Sequence, residues 1–575
     1  MKASSKKKQK IEISSAEDHA FRSQSLFEAR EYADAAEEAE NALMCLPLMA
    51  SAALTRGRAL LHPALSKMVE DGVVPSIELL DAANRAFRLA EMLDPYDQEA
   101  KEEIRGLQRL LTELPTPAAP KKAVGIAKQP TVAEYDVLIV GAGAAGVGTA
   151  LMLTKTFGLD PSRVLLIERG EAVGESFKQW PAEMRFISPS FNQQGWTSSF
   201  DLNSIAHGTS PAFSLHSEHP SGQEYASYLK QLADAAELNV RTKTELVSVK
   251  AVGGKGGSPL FHAEVRSSGS SKNGSSKKGS ATTEALAARY VVWAAGEFQY
   301  PRESESAVFR GAELCTHNSR VRSWAKLPGD DFVLIGGYES GADAAVNLAK
   351  AGKQATVLAS TATWNVHTPD PSTELAPYTA MRLREVSAAG FSPRPKLLAP
   401  LRVLRVEKAA KGGFNVVATW KAVEEPPPTG PLRKPLAADA DEASAEGSEL
   451  VVHTPQPPVL CTGFEGSVAS AAHHLFDFAG PSEEAKGCLA GAPLLTNEDE
   501  STTVPGVFLV GPSVRHAQHS FCFVYKFRQR FGIVANAICR GLGRRDADTA
   551  VEVARKMNMF LDDLQCCETT CGETC

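Results

Sequence analysis

Tyr135-Asp-Val-Leu-Ile-Val140-Gly141-Ala-Gly143-Ala-Ala145-Gly146 joins an apolar run to a glycine turn, and an Ala/Leu-rich segment over Val147 to Thr156 follows it. Six residues without a polar face, apart from Asp136, predict a strand buried on both sides, as in a parallel sheet. The turn that ends it has the spacing that lets a backbone meet a pyrophosphate. Gly141 permits the tight turn, Gly143 lets the main chain approach the phosphates, and Gly146 lets the helix pack on the strand, with Ala145 beside it. The helix N-terminus then presents free N–H groups and the positive end of its dipole. A second strand, Val164 to Ile167, ends at Glu168 and Arg169. A carboxylate there is placed to accept hydrogen bonds from the ribose of an adenosine.

The pattern recurs downstream. Asp331 to Ile335 reads as another buried strand, followed by Gly336-Gly337-Tyr338-Glu339-Ser340-Gly341 and a helix that runs to Lys350. The next strand, Ala355 to Leu358, ends in Ala359 and Ser360, without an acid. A carboxylate at that place would repel a 2′-phosphate, so its absence favours NADPH and leaves NADH open, with Lys353 as the nearby cation. Tyr338 stands where a middle glycine is expected, and a bulky side chain there changes how closely the backbone can approach the pyrophosphate. Two such units, the first with a ribose acid, predict an α/β flavoprotein with two Rossmann-type dinucleotide-binding domains, one for FAD and one for NAD(P)H.

Over roughly residues 133 to 545 the chain resembles the class B flavin-containing monooxygenases and related FAD-dependent pyridine nucleotide oxidoreductases. The stretches that carry the resemblance are the Gly141 turn, Val292-Trp-Ala-Ala-Gly296 with Pro301, Ser340-Gly341-Ala-Asp343, and Cys461-Thr-Gly463-Phe464. The resemblance implies that Gly296 and Gly463 lie where the two domains join along the FAD. It also implies that Gly506-Val-Phe-Leu-Val-Gly511-Pro512 is the strand ending against the ribityl chain. The sequence departs from the monooxygenase fingerprint, in which Phe-x-Gly precedes a His and an aromatic residue. Here Phe309 and Gly311 are followed by His317 and Trp324 at longer spacings.

Chemistry at the flavin is expected from the stretch after Gly511, which contains Arg515, His516, His519, Cys522, Arg528 and Arg530. His516 and His519 are the candidate proton carriers at neutral pH, and Arg528 is the candidate stabiliser of negative charge on the flavin. Surface salt bridges are the plainer role for the same residues. Gly174 to Trp180 is expected to border the flavin. In all, the resemblance implies hydride transfer from NADPH and oxygenation of a small nucleophilic or carbonyl substrate.

The rest of the chain sets the frame. At 575 residues it is too long for one core. With 43% hydrophobic and 22% charged residues it is not disordered as a whole, and its net charge of -7 gives no reason to expect nucleic acid. Neither a secretory leader nor a membrane-spanning run is legible, and the scattered cysteines fit a reducing, cytoplasmic setting.

The expected organisation is a basic tail at 1–15, a helical domain at 16–114 and a Pro/Ala/Lys linker at 115–132. An FAD-binding domain then occupies 133–325 and 451–546, and an NAD(P)H-binding domain lies between, at 326–450. Low-complexity insertions at 267–280 and 424–448 interrupt these, and 547–575 is a C-terminal helix and tail. In the helical domain, Tyr32, Ala35, Ala42 and Pro47 resemble one degenerate tetratricopeptide hairpin; Ala82, Ala86, Ala90, Leu93, Asp94 and Pro95 resemble a second. Residues His62 to Pro75 are read as an insertion between them. Such an all-α array is a candidate seat for a protein partner, although Ala20 and Gln24 stand where carboxylate-gripping arrays have Lys and Asn. Cys566, Cys567, Cys571 and Cys575 suit either a redox relay or a soft-metal trap, which keeps a disulfide or metal reductase as an alternative. A repeat-mediated adaptor built on a flavoprotein scaffold is the remaining reading.

Overall fold

The computed structural model describes residues 19–45, 50–71, parts of 79–90, 98–113, 133–191, 201–253, 259–267, 282–303, 307, 309–365, 374–422, 447–479, 491–516, 519–544 and 547–564. The basic tail, the linker, nearly all of both low-complexity insertions (268–280 and 424–446) and the four terminal cysteines lie outside these residues.

The first α/β unit is built on a seven-stranded sheet. Val164–Ile167 and Tyr135–Val140 run parallel, Val137 opposite Val164, and the next strand is the long Thr282–Trp293. One edge of that long strand is shared. Its first half pairs antiparallel with Phe261–Ser267, and its last residues pair parallel with Val507–Leu509. The buried strand residues Val137 to Ile139 and Leu165 to Ile167 pack under helix Ala144–Leu151, which continues as a π-helix over Met152–Thr156, and under helix Phe531–Gly541. Gly148 makes the close helix crossing: a Cβ there would meet the Phe531 ring at 2.1 Å.

The second unit repeats the plan with a five-stranded parallel sheet, in the order Lys396–Leu398, Gln354–Leu358, Asp331–Ile335, Val459–Leu460, Thr316–His317. A three-stranded antiparallel sheet (Leu401–Lys408, Phe414–Trp420, Glu449–Thr454) adds a second small core with Val333, Ile335 and Leu460. Strand Glu449–Thr454, which straddles the boundary expected between 450 and 451, therefore belongs to the second unit. Thr316–His317, expected before the 325 boundary, belongs to it as well. The chain passes between the units near Tyr300–Pro301 and Phe464–Glu465, which pair antiparallel with each other.

Helices Tyr32–Cys45, Ala50–Asp71 and Gln98–Glu113 precede these units. Residues read as an insertion from His62 are helical through Asp71, with Pro63 inside the helix. Ala53, Leu54, Leu61, Leu80, Ala83, Phe87, Ala90, Ile104 and Leu107 form a core of their own. Gly57 lets two elements touch closely, since a Cβ there would lie 2.5 Å from the Phe87 ring. Among the described residues no helix is long and apolar enough to cross a membrane, and no cluster of His, Cys, Asp and Glu could hold a metal ion.

Candidate functional site

In the first turn, the peptide N–H groups of Gly141 and Ala294 donate to Ile167 O and Val140 O, which places the turn between three strand ends. It thus stands at the C-terminal edge where the sheet order reverses, the usual ligand crevice of such sheets. Gly141 has φ +106°, and a Cβ on it would press on the Ala294 carbonyl at 2.7 Å. A Cβ on Gly146 would lie 1.9 Å from Gly141 O. Gly143 differs from both, since nothing stands within 4 Å of its Cβ position, and the same holds at Gly296. The two glycines leave open space on the side a ligand needs. Gly511 (φ +101°) follows strand Val507–Leu509, and a Cβ on it would lie 3.0 Å from Ala145 Cβ.

Glu168 is half-buried at the end of its strand. Its Oε2 accepts from Ala142 N at 3.1 Å and its Oε1 from Gly170 N at 2.6 Å. Each carboxylate oxygen keeps a further lone pair, so two ribose hydroxyls can still be met. Burial pushes its carboxyl upward in pKa, against those two N–H bonds. Arg169 is exposed and donates to Gln299 Oε1 at 2.7 Å. The residues present fit an FAD: an open turn at Gly143, an acid at the ribose end, and a helix N-terminus facing them.

After Gly511 and Pro512 comes a short hairpin in which Arg515–His516 pairs with His519–Ser520. His516 does not stand free. Its Nε2 is 2.5 Å from Asp499 Oδ1, and Asp499 is fully buried. Arg530 grips the same carboxylate through Nε and Nη2, both at 2.9 Å. This buried charge cluster pins the hairpin to helix Phe531–Gly541; neither a surface salt bridge nor a free proton carrier describes it. Arg528 is also structural in its contacts. It is buried and donates to the carbonyls of Asp201 and Ser204, and burial lowers its pKa to about 10. His519 is the better placed of the two histidines, because its buried Nε2 has no hydrogen-bond partner among the described residues, and neither has the adjacent Ser520 Oγ. A bound group could satisfy both atoms. Phe177 and Trp180, expected beside the flavin, pack with Phe186 and Tyr225 in one aromatic cluster.

The second turn copies the first bond for bond. Gly336 N donates to Leu358 O, and Cys461 N to Ile335 O. Gly336 has φ +112° and faces the Cys461 carbonyl, where a Cβ would lie at 2.3 Å; a Cβ on Gly341 would lie 1.9 Å from Gly336 O. Ala359 stands where Glu168 stands in the first unit: Glu168 N donates to Arg241 O and Ala359 N to Leu398 O. Lys353 is not the phosphate clamp the sequence suggested, since it is buried with its Nζ donating to the carbonyls of Leu327 and Gly329. Sequence reasoning missed Lys421, an exposed residue far along the chain whose Nζ lies 3.3 Å from Ser360 O. Nothing in its local sequence marks it.

His317 joins the units. It is buried, its Nε2 lies 3.0 Å from Gly463 O, and Ser319 N donates to its Nδ1 at 3.2 Å. That pairing requires a neutral ring with its proton on Nε2. Burial lowers its pKa accordingly.

A family model described as pyridine nucleotide-disulphide oxidoreductase matches residues 138–256 and 271–411, which contain both turns. The resemblance is to redox enzymes. The uncharacterized oxidoreductase CzcO of Bacillus velezensis is 26% identical over 218 residues, 38% of this chain and 52% of that protein. The chain thus spans about half the length of the curated relatives it matches. Among solved structures, bacillithiol disulfide reductase from Staphylococcus aureus is 16% identical with a TM-score of 0.47, covering 71% of this chain and 99% of that one. The FAD-bound cadaverine monooxygenase DfoA of Erwinia amylovora is 13% identical with a TM-score of 0.48, covering 71% and 95%.

Proposed function

We propose that this chain is an FAD-dependent oxidoreductase that draws hydride from NADPH and oxygenates a small nucleophilic or carbonyl substrate. The observation that carries the reading is the repeated turn: two glycine turns with the same backbone contacts, of which only the first has a carboxylate at the ribose position. The first suits FAD and the second suits a dinucleotide whose ribose bears a phosphate. Lys421 beside Ser360 supplies the cation on that side.

Bound FAD supplies the redox chemistry. Gly141, Gly143 and Gly146 would seat its pyrophosphate, Glu168 its ribose, and Gly511 and Pro512 its ribityl chain. His519 Nε2 is the atom that could hold or deliver a proton. Arg515 ties the carbonyls of Pro512 and Val514 together, keeping the hairpin at the strand end.

Two of the described cysteines are poorly suited to thiol exchange. Among the described residues, Cys315, Cys461, Cys522 and Cys539 form no disulfide, and burial pushes the Cys315 and Cys461 thiols up to about 12. Protonated thiols do not exchange with disulfides at neutral pH. The N-terminal helices, with a core of their own, serve in this reading as a seat for a protein partner.

Oxygen uptake in the presence of NADPH and a panel of amines, thioethers and ketones tests the proposal. NADPH-dependent uptake that yields an oxygenated product supports it. Recovery of all consumed oxygen as peroxide with every substrate contradicts it. So does NADPH-dependent disulfide reduction that is lost when residues 562–575 are deleted.

A further inference from the structure

The two turns share a backbone, and the largest difference in bulk between them is at Gly143 and Tyr338. Gly143 caps helix Ala144–Leu151 with φ −85° and ψ −166°, and Tyr338 caps helix Glu339–Lys350 with φ −84° and ψ −163°. The flanking glycines make matching contacts, so the two positions are equivalent in three dimensions as well as in sequence. Equal dihedrals direct the Cβ to the same side of the turn. At Gly143 that side is open to 4 Å, and it is the side from which a pyrophosphate reaches the helix N-terminus. At position 338 that Cβ carries a phenol side chain, and the residue is 42% exposed.

The backbone cannot retreat to make room. A Cβ on Gly337 would meet Ala359 Cβ at 2.5 Å and the Trp364 ring at 3.0 Å, which shows how closely the turn is backed. Thr363 Oγ1 donates to Gly337 O and fixes the peptide. Glu339 does not leave either, because its carboxylate accepts from Ala376 N and Thr379 Oγ1. Any accommodation of a dinucleotide falls on the Tyr338 ring.

We infer that Tyr338 limits the affinity of the second turn for its dinucleotide, because its ring stands in the pyrophosphate path and must swing aside before NADPH seats. The inference rests on the nicotinamide reading of this turn given above. The obstruction lies at the pyrophosphate, which NADP+ and NAD+ share, so it weakens both alike. It is a matter of bulk and not of the hydroxyl.

Calorimetric titration of the FAD-loaded protein with NADP+ and with NAD+ tests this, using wild type, Tyr338→Gly, Tyr338→Ser and Tyr338→Phe. Gly and Ser are accepted helix N-caps, and retained flavin absorbance and melting temperature report that the variants fold. The expected result is that Tyr338→Gly and Tyr338→Ser bind both nucleotides roughly tenfold or more tightly, the effect of relieving an overpacked contact, while Tyr338→Phe matches wild type. Unchanged or weaker binding in the Gly and Ser variants overturns the inference. A loss of affinity in Tyr338→Phe overturns it too, since the phenol would then be a ligand contact. Absence of binding in wild type and variants alike removes the nicotinamide reading together with the inference; binding in wild type without gain in the variants removes the inference alone.

Discussion

Gly143 and Gly146 lie in one turn but answer to different demands. A side chain at Gly146 collides with the Gly141 carbonyl, whereas one at Gly143 meets only open space. Gly146→Leu is therefore expected to destabilise the first unit by about 3 kcal/mol or more, a backbone clash in a packed core. Gly143→Leu should leave the melting temperature of the flavin-free protein unchanged and abolish FAD retention. Thermal unfolding and flavin content, measured on both variants, separate the two roles; loss of fold in Gly143→Leu contradicts the assignment. Tyr338 already shows that this backbone tolerates a large side chain.

His317 makes a prediction of opposite kind, in pH. Burial holds its pKa in the folded protein below the ordinary value of about 6.5. Its contribution to stability is complete above the unfolded value and is lost as pH falls through the folded one, because only the unfolded chain takes up the proton readily. Melting temperature should fall more steeply below about pH 6.5 in wild type than in His317→Gln. Parallel pH profiles would contradict the neutral, bridging role. The sequence placed His317 in a fingerprint by its neighbours, and its tie to Gly463 O follows from strand pairing that no local spacing reveals.

Among the elements, the hairpin Arg515–His516 and His519–Ser520 corrects the sequence most. The cluster of basic residues and histidines was legible as a functional stretch. Their division of labour was not, because Asp499 comes from a separate loop and adopts φ +61° to present its carboxylate. Asp499 absorbs His516 and Arg530, carbonyls absorb Arg528, and the buried His519 Nε2 is left without a partner among the described residues. Asp499→Ala strands a buried guanidinium, and a loss of about 3–5 kcal/mol is expected on that ground. Denaturant unfolding followed through flavin release should show the midpoint falling; an unchanged midpoint would mean that the cluster does not hold the hairpin. The glycine turns, by contrast, were legible as turns, since strand, turn and helix are consecutive in the chain, although the carbonyls that Gly141 and Gly336 face belong to the distant Ala294 and Cys461.

For the whole molecule, the sequence carried the order of the two α/β units but not their seams. Thr316–His317 and Glu449–Thr454 cross into the second unit because their pairing partners, Val459–Leu460 and Phe414–Trp420, lie there. Short strands of this kind have too few residues for a periodic signal. Helices before the α/β units were legible from their small residues, of which Ala35, Ala42, Ala86 and Ala90 are buried. In the proposed function the first turn keeps FAD and the second delivers electrons to it. An anaerobic titration of the purified protein with NADPH, following the visible flavin band, tests that claim most directly. The account predicts stoichiometric FAD that bleaches fully on NADPH addition. Protein without flavin, or FAD that stays oxidised under excess NADPH and NADH, would contradict it.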